Sequence, residues 1–185
     1  MPASRDETAR ALNGFLAGVE RRAFRMARIA LRHDEDAHDA VQDAMLQLAR
    51  RYGGRDAAEW PPLFHRILQN RIRDLQRRRL VRGRVMALLP WRRDADHDAP
   101  DPVAAAPDPR PGPADQVEGA ALREVLEAAL HQLPSRQREA FLLRNLEGMD
   151  VAQTAAAMGC SDGSVKTHYF RAIQALKKQL GETWA

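Results

Sequence analysis

Residues 150–176 read DVAQTAAAMGCSDGSVKTHYFRAIQAL, and the fold class turns on this stretch. Asp150, with Gln153 three residues on, has the pattern of a capping box: each side chain can satisfy a backbone N–H at the start of a short helix, Val151 to Met158. Gly159 ends that helix, because a residue without a Cβ takes the positive φ of a tight turn at little cost. Ser161 is placed to cap a final helix running to Leu180, with Val165, Tyr169, Ala172, Ile173, Leu176 and Leu180 along one face. A short helix, a Gly-containing turn and a longer amphipathic helix form the layout of a helix-turn-helix. Ala155 is small where the two helices must approach, and Val165 packs the second against the first.

With that apolar face buried, the opposite face of the last helix presents Gly163, Ser164, Lys166, Thr167, Phe170 and Arg171. Lys and Arg reach phosphates or guanine edges, Ser and Thr donate to either, and Phe170 can touch a thymine methyl group, so the mixture suits DNA. The alternative is a helical hairpin whose charged face is merely solvated.

Working outward, Leu122, Val125, Leu126, Ala129, Leu130 and Leu133 form one helix stopped by Pro134, and Ser135 can cap another that runs to Leu146 and Gly148. Further upstream, PWRRDADHDAPDPVAAAPDPRPGP holds seven of the 11 prolines between Pro90 and Pro113 and no apolar periodicity. It reads as a linker, able to span on the order of 70 Å as polyproline II. Charge changes sign there: residues 66–93 carry ten arginines and one acid, Asp74, whereas residues 94–118 carry seven acids and one arginine, Arg110. Before the linker, three apolar stripes at helical spacing follow one another. The first runs from Leu12 to Ala30 and ends near His33, the second from Ala37 to Leu48 and ends at Gly53-Gly54, and the third from Leu63 to Leu75 lies behind Pro61-Pro62. The expected architecture is all-α: a helical bundle over residues 1–89, a Pro/Asp-rich linker over 90–116, and a helix-turn-helix domain over 117–185.

Composition agrees with that outline. The chain has 185 residues, 44% hydrophobic but only 5% aromatic, which favours Ala-rich helices over sheets. A net charge of +4 makes it basic without being a polycation, which excludes histone-like tails. The single cysteine, Cys160, can make no internal disulfide and reads as a small core residue of the turn; no secretory h-region and no membrane-length apolar run is present, so a cytoplasmic location is expected. Histidines are scattered, with no HExxH, paired CxxC, Gly-rich phosphate loop or GxSxG, so no metal, cofactor or catalytic centre is expected; a metal enzyme built on His33, His38 and the nearby acids is the rival in that class.

Two further clusters carry charge. In WPPLFHRILQNRIRDLQRRRLVRGR an amphipathic helix runs into Arg77, Arg78, Arg79, Arg82 and Arg84, which suits phosphate neutralisation but equally a solvated helix C-terminus. In DEDAHDAVQDAMLQLARRY, Asp36, Asp39, Gln42 and Asp43 project from the polar side of a helix, either as helix-start charge or as a docking face for a basic partner.

Taken together and in this order, the three segments resemble the extracytoplasmic-function (ECF) class of bacterial sigma factors, small subunits that give RNA polymerase its promoter specificity. Residues 36–43, DAHDAVQD, match the acidic-Gln motif of the family's region two, with Gln42-Asp43 where the family has Gln-Glu and His38 in place of a Glu. Ile67-Leu68-Gln69-Asn70, then Asp74 and Arg77 to Arg79, match the pattern of the next helix. A family tryptophan is replaced by Leu63, with Trp60 slightly upstream. LPSRQREAFLLRNLEGMDVAQTAAAMGCSDGSVKTHYFRAIQALKKQL resembles region four, with Pro134, Arg138, Gly148, Ala155, Gly159, Gly163, Val165, Lys166, Arg171 and Ala172 at motif positions.

The resemblance implies that Asp39, Gln42 and Asp43 dock on the clamp helices of core RNA polymerase. It implies that Asn70, Arg71, Arg77, Arg78 and Arg79 help to open and hold the −10 element, and that Ser164, Lys166, Thr167, Phe170 and Arg171 face the −35 element while the domain rests on the β flap. It further implies a linker that threads toward the RNA exit path, and control by an anti-sigma factor. An ordinary dimeric helix-turn-helix regulator is the rival; it accounts for the C-terminal half alone and predicts a palindromic site.

Overall fold

A computed structural model describes residues 5–87 and 113–181. Among these the chain is entirely helical: α1 (Arg5–Leu31), α2 (Asp34–Tyr52), α3 (Trp60–Ala87), α4 (Pro113–Gln132), α5 (Ser135–Asn145), α6 (Val151–Met158) and α7 (Asp162–Leu180), with one 3-10 turn at Ala57–Glu59. Most of the expected linker, residues 88–112, lies outside the described residues.

The three apolar stripes of the first half become one core. Val19, Ala23 and Ala27 of α1, Ala37, Ala40, Ala44 and Leu48 of α2, and Phe64, Leu68 and Ile72 of α3 are buried together. Alanines on facing helices let the axes come close, and the bulk is supplied by Phe64 and by Trp60, whose indole N–H donates to the Tyr52 carbonyl at 3.2 Å. The α1–α2 corner is tight: Arg32 takes φ 52°, and the His33 ring accepts the Asp36 N–H at 3.3 Å, capping α2. Asp56 caps the 3-10 turn that leads into α3, which starts at Trp60 with Pro61 and Pro62 in its first turn, where a missing N–H costs nothing.

Three local expectations are corrected. Ser135 is not the cap of α5 but its first residue; Pro134 occupies the cap position with no side-chain hydrogen bond. Helix α4 begins at Pro113, inside the span read as linker, because proline at a first helical position starts a helix as readily as it stops one. Leu122 and Val125, read as part of a buried stripe, are 55% and 54% exposed, and only from Leu126 onward does α4 pack on the domain.

The C-terminal helices are not a separate body. Their core, Leu130, Leu133, Ala140, Leu143, Met158, Val165 and Leu176, also takes in Met26 and Ile29 of α1, and α3 packs along α6. The two halves are closed on each other.

Candidate nucleic-acid interface

The helix-turn-helix is built as its sequence dictates. Asp150 accepts the Gln153 N–H at 2.7 Å, and the Gln153 side chain accepts the Asp150 N–H at 3.1 Å, completing the capping box. Gly159 sits at φ 63°, and Ser161 Oγ accepts the Ser164 N–H at 3.2 Å to start α7. Val165, Ala172 and Leu176 are buried. On the flank of α7, the Tyr169 ring stacks on Phe141 with 6.3 Å between centroids, and its hydroxyl donates to Asn145 at 3.3 Å. The orientation of α7 on α5 is therefore fixed by packing and a directional bond together.

That orientation turns Lys166, Thr167, Phe170 and Arg171 outward as a group, with Ser164 at the half-buried start of the face. Phe170 is 63% exposed, a large apolar side chain left in water beside cations that have no ion-pair partner among the described residues. The Thr167 hydroxyl donates back to the Gly163 carbonyl at 2.9 Å, which leaves its lone pairs outward.

On the N-terminal half the same analysis separates residues the sequence had grouped. Asp39, Gln42 and Asp43 lie exposed on the outer face of α2, opposite the buried Ala37, Ala40, Val41 and Ala44. His38 stacks on Phe24 at 4.2 Å, and Gln42 borders a shallow pocket between them and Val41. Asn70 is exposed on α3 and lines a groove of about 490 Å³ with Gln47, Arg50, Arg51 and Arg71. Across this groove Arg71 binds Asp43 at 2.7 Å, so a residue read for DNA and one read for polymerase form a single pair.

The arginine run divides further. Arg79 is held by Asp36 at 2.5 Å and by the Leu31 carbonyl at 2.9 Å, which ties α3 to the α1–α2 corner. Arg77 pairs with Asp74. Arg78 is exposed with no such partner among the described residues. Cys160 is partly buried against the C-terminal core, and burial pushes its thiol up. Among the described residues no group of three His, Cys, Asp or Glu is gathered as for a metal, and no helix is long and apolar enough to cross a membrane.

Sequence reasoning missed the charges between the halves. Glu147 takes the Arg22 guanidinium at 3.2 Å and the His65 ring at 3.3 Å, with the His65 and Glu147 side chains only 1% and 4% exposed. Arg28 binds Glu127 at 2.6 Å, Arg73 approaches Glu139 at 3.9 Å, and the His131 ring meets the Ile29 carbonyl at 3.0 Å. Burial raises the Glu139 carboxyl against the pull of Arg73 and Arg136. Burial acts on Glu147 in the same sense, but the His65 hydrogen bond and charge, with Arg22, outweigh it and hold that carboxyl below its ordinary value. Arg138, buried in α5, is pulled down by desolvation and donates to the His131 carbonyl at 2.9 Å. The hint in the sequence was acids placed among the apolar positions of α4 and α5, Glu127 and Glu139, and just after α5, Glu147.

Comparison with known proteins agrees with the geometry. Residues 123–176 match the family model for Sigma-70, region 4, which spans α5 to α7 and the last part of α4. The ECF RNA polymerase sigma factor SigM of Mycobacterium tuberculosis is 33% identical over 162 residues, covering 87% of this chain and 72% of that protein. The chain belongs to the ECF sigma factor family. A second relative, the ECF RNA polymerase sigma factor SigF of Caulobacter vibrioides, is 31% identical over 166 residues, 89% of this chain and 82% of the relative. Among solved structures, the sigma factor RpoE in complex with the anti-sigma factor NepR from Bartonella quintana matches with a TM-score of 0.59 at 25% identity, covering 96% of both chains. CnrH in complex with the cytosolic domain of CnrY shares the fold with a TM-score of 0.57 at 23% identity, covering 94% of each. As members of a sigma factor family, such chains direct transcription.

Proposed function

We propose that this ECF sigma factor binds core RNA polymerase through the outer face of α2 and reads a promoter at two places. The α7 face, Ser164, Lys166, Thr167, Phe170 and Arg171, reads the −35 element. The α3 groove, with Asn70 and Arg71, holds the −10 element as it opens, and Arg77, Arg78 and Arg79 further along the helix help to hold it. The observation that carries this reading is the outward cluster of Lys166 and Arg171, unpaired among the described residues, with Phe170 on a capped helix-turn-helix.

Two weak contacts on one tether make physical sense. Each small domain alone binds weakly, but once the first is held on polymerase the second binds as an intramolecular event at high effective concentration. Asp39, Gln42 and Asp43 supply the contact to the clamp helices, the C-terminal domain rests on the β flap, and an anti-sigma factor holds the protein inactive. The match to a sigma factor solved with an anti-sigma factor supports that last partner.

Footprinting of polymerase, sigma factor and promoter separates the roles. Lys166→Ala with Arg171→Ala is expected to lose upstream protection, whereas Asn70→Ala keeps that protection and loses permanganate-reactive thymines in the melted region. Equal loss of both signals in both variants would contradict the assignment. A symmetric footprint formed without polymerase would instead support the dimeric regulator.

A further inference from the structure

Residues read for two different partners meet across one groove. Its α2 wall carries Asp43, Gln47, Arg50 and Arg51, and its α3 wall carries Asn70 and Arg71. Asp43 and Arg71 join the walls as an ion pair, Oδ2 to Nη2 at 2.7 Å. Half of the Asp43 side chain is open to solvent, against 30% of Arg71, so the pair sits where something outside the chain can reach either member.

Charge in the groove is unequal. Asp74, a second carboxylate of the lining, is taken by Arg77, while Arg50 and Arg51 are exposed with no ion-pair partner among the described residues. Asp43 is therefore the carboxylate left to offset the groove's arginines. It holds Arg71 incompletely: Arg71 Nε is buried and meets no acceptor among the described residues. Nε and Nη2 share one edge of the guanidinium fork, and that edge suits two oxygens of a single phosphate. Exchanging Asp43 for a phosphate would give both nitrogens an oxygen. Asp43 has a rival partner too. It lies with Asp39 and Gln42 on the outer face of α2, and a carboxylate drawn to a basic surface of polymerase gives up part of its hold on Arg71.

We propose that Asp43 is a removable counter-ion for Arg71: in the free protein it keeps Arg71 from a DNA strand, and when polymerase takes Asp43 the groove is released to hold strand phosphate. The inference rests on the proposed reading of the α2 face for polymerase and of the α3 groove for DNA. Linkage makes the effect reciprocal, so a strand held by Arg71 frees Asp43 and tightens polymerase binding by the same factor. A partly exposed pair supports a coupling of about three- to fivefold.

The test measures two affinities of the full chain. One is for a labelled oligothymidylate of about 12 nucleotides, whose phosphates serve without a promoter sequence; the other is for core RNA polymerase. Asp43→Asn should tighten oligothymidylate binding about three- to fivefold, a gain that misfolding would not produce. Asp39→Asn removes the same charge from the same face, but Asp39 has no ion-pair partner among the described residues, so its gain should be smaller. In an Arg71→Gln background, Asp43→Asn should add nothing. Toward polymerase, Asp43→Asn should weaken binding and Arg71→Gln should tighten it, and Arg71→Gln should change nothing in the Asp43→Asn chain. Equal gains from Asp39→Asn and Asp43→Asn, or a gain from Asp43→Asn that survives Arg71→Gln, would make Asp43 a bulk charge and overturn the proposal. Polymerase affinity lowered by Asp43→Asn but untouched by Arg71→Gln would overturn it while docking through α2 stands. Polymerase affinity indifferent to Asp43→Asn would contradict the docking reading itself. Oligothymidylate binding indifferent to Arg71→Gln in the Asp43→Asn chain would contradict the strand reading, and in both of these cases the coupling falls with the reading it rests on.

Discussion

At the residue scale, the positions that matter most are those where a single side chain sets a backbone conformation or a charge. Asp150 is the clearest. Its carboxylate and Gln153 close both ends of the α6 capping box, so Asp150→Ala should cost about 1 kcal/mol in denaturant unfolding, and Asp150→Ser much less. The Asp150, Gly159 and Ser161 roles were all readable from sequence, because caps and turns are local and their chemistry lies within a few residues. Arg32 was not: a non-glycine residue at φ 52° carries no sequence signature, and it follows from joining α1 to α2 across a corner of two residues. On the recognition face, Lys166→Ala should lower promoter affinity across sequences and reduce the slope of log affinity against log salt by roughly one, the signature of one lost phosphate contact. An unchanged salt slope would place Lys166 on a base edge instead. Ser135 shows the limit of local reading, since a good capping residue next to Pro134 lost the cap position to the proline, whose fixed φ suits the entry to α5.

At the scale of elements, each helix is placed by the stripe it buries. Leu48, fully buried between α1, α2 and α3, fills a volume that its alanine-rich neighbours cannot collapse into, so Leu48→Ala is expected to lower stability by about 2–5 kcal/mol. A loss below about 1 kcal/mol in urea unfolding would mean the bundle is looser than this packing indicates. The stripes on α1, α2, α3 and α7 were legible because burial there follows a 3.6-residue period. Helix α4 was legible only in part: its period continues through Leu122 and Val125, but nothing lies above them among the described residues, so the pattern overstates the buried length. The α3 arginines were legible as charge and not as roles. Whether an arginine meets Asp36, Asp43 or solvent depends on helices that lie far away in sequence, whereas the Arg77–Asp74 pair is local to α3.

For the whole molecule, the family and the two-part helical architecture could be read from sequence, whereas the closure of one part on the other could not, because it rests on pairs separated by about a hundred residues such as Arg28–Glu127 and Arg22–Glu147. Closure has a pH signature with opposing parts. Glu147 has its carboxyl depressed in the folded chain, so its contribution is present above the unfolded carboxylate pKa of about 4.3 and is lost as pH falls through the lower folded value. Glu139 is raised by burial, so its contribution is full below the unfolded pKa and is lost as pH rises through the folded value. Glu147→Gln should therefore flatten the acid side of a stability profile, and Glu139→Gln the rise of instability above it; identical profiles for both variants would mean these carboxyls do not sit where the structure puts them. The central claim, that this is a sigma factor acting through the α2 and α7 faces, is tested most directly by transcription from genomic fragments with core RNA polymerase and the purified protein. The account predicts new transcripts that require the protein and fade both with Gln42→Ala/Asp43→Ala and with Lys166→Ala/Arg171→Ala. Transcripts unaffected by either pair, or none at all with no co-elution of protein and core enzyme, would contradict it.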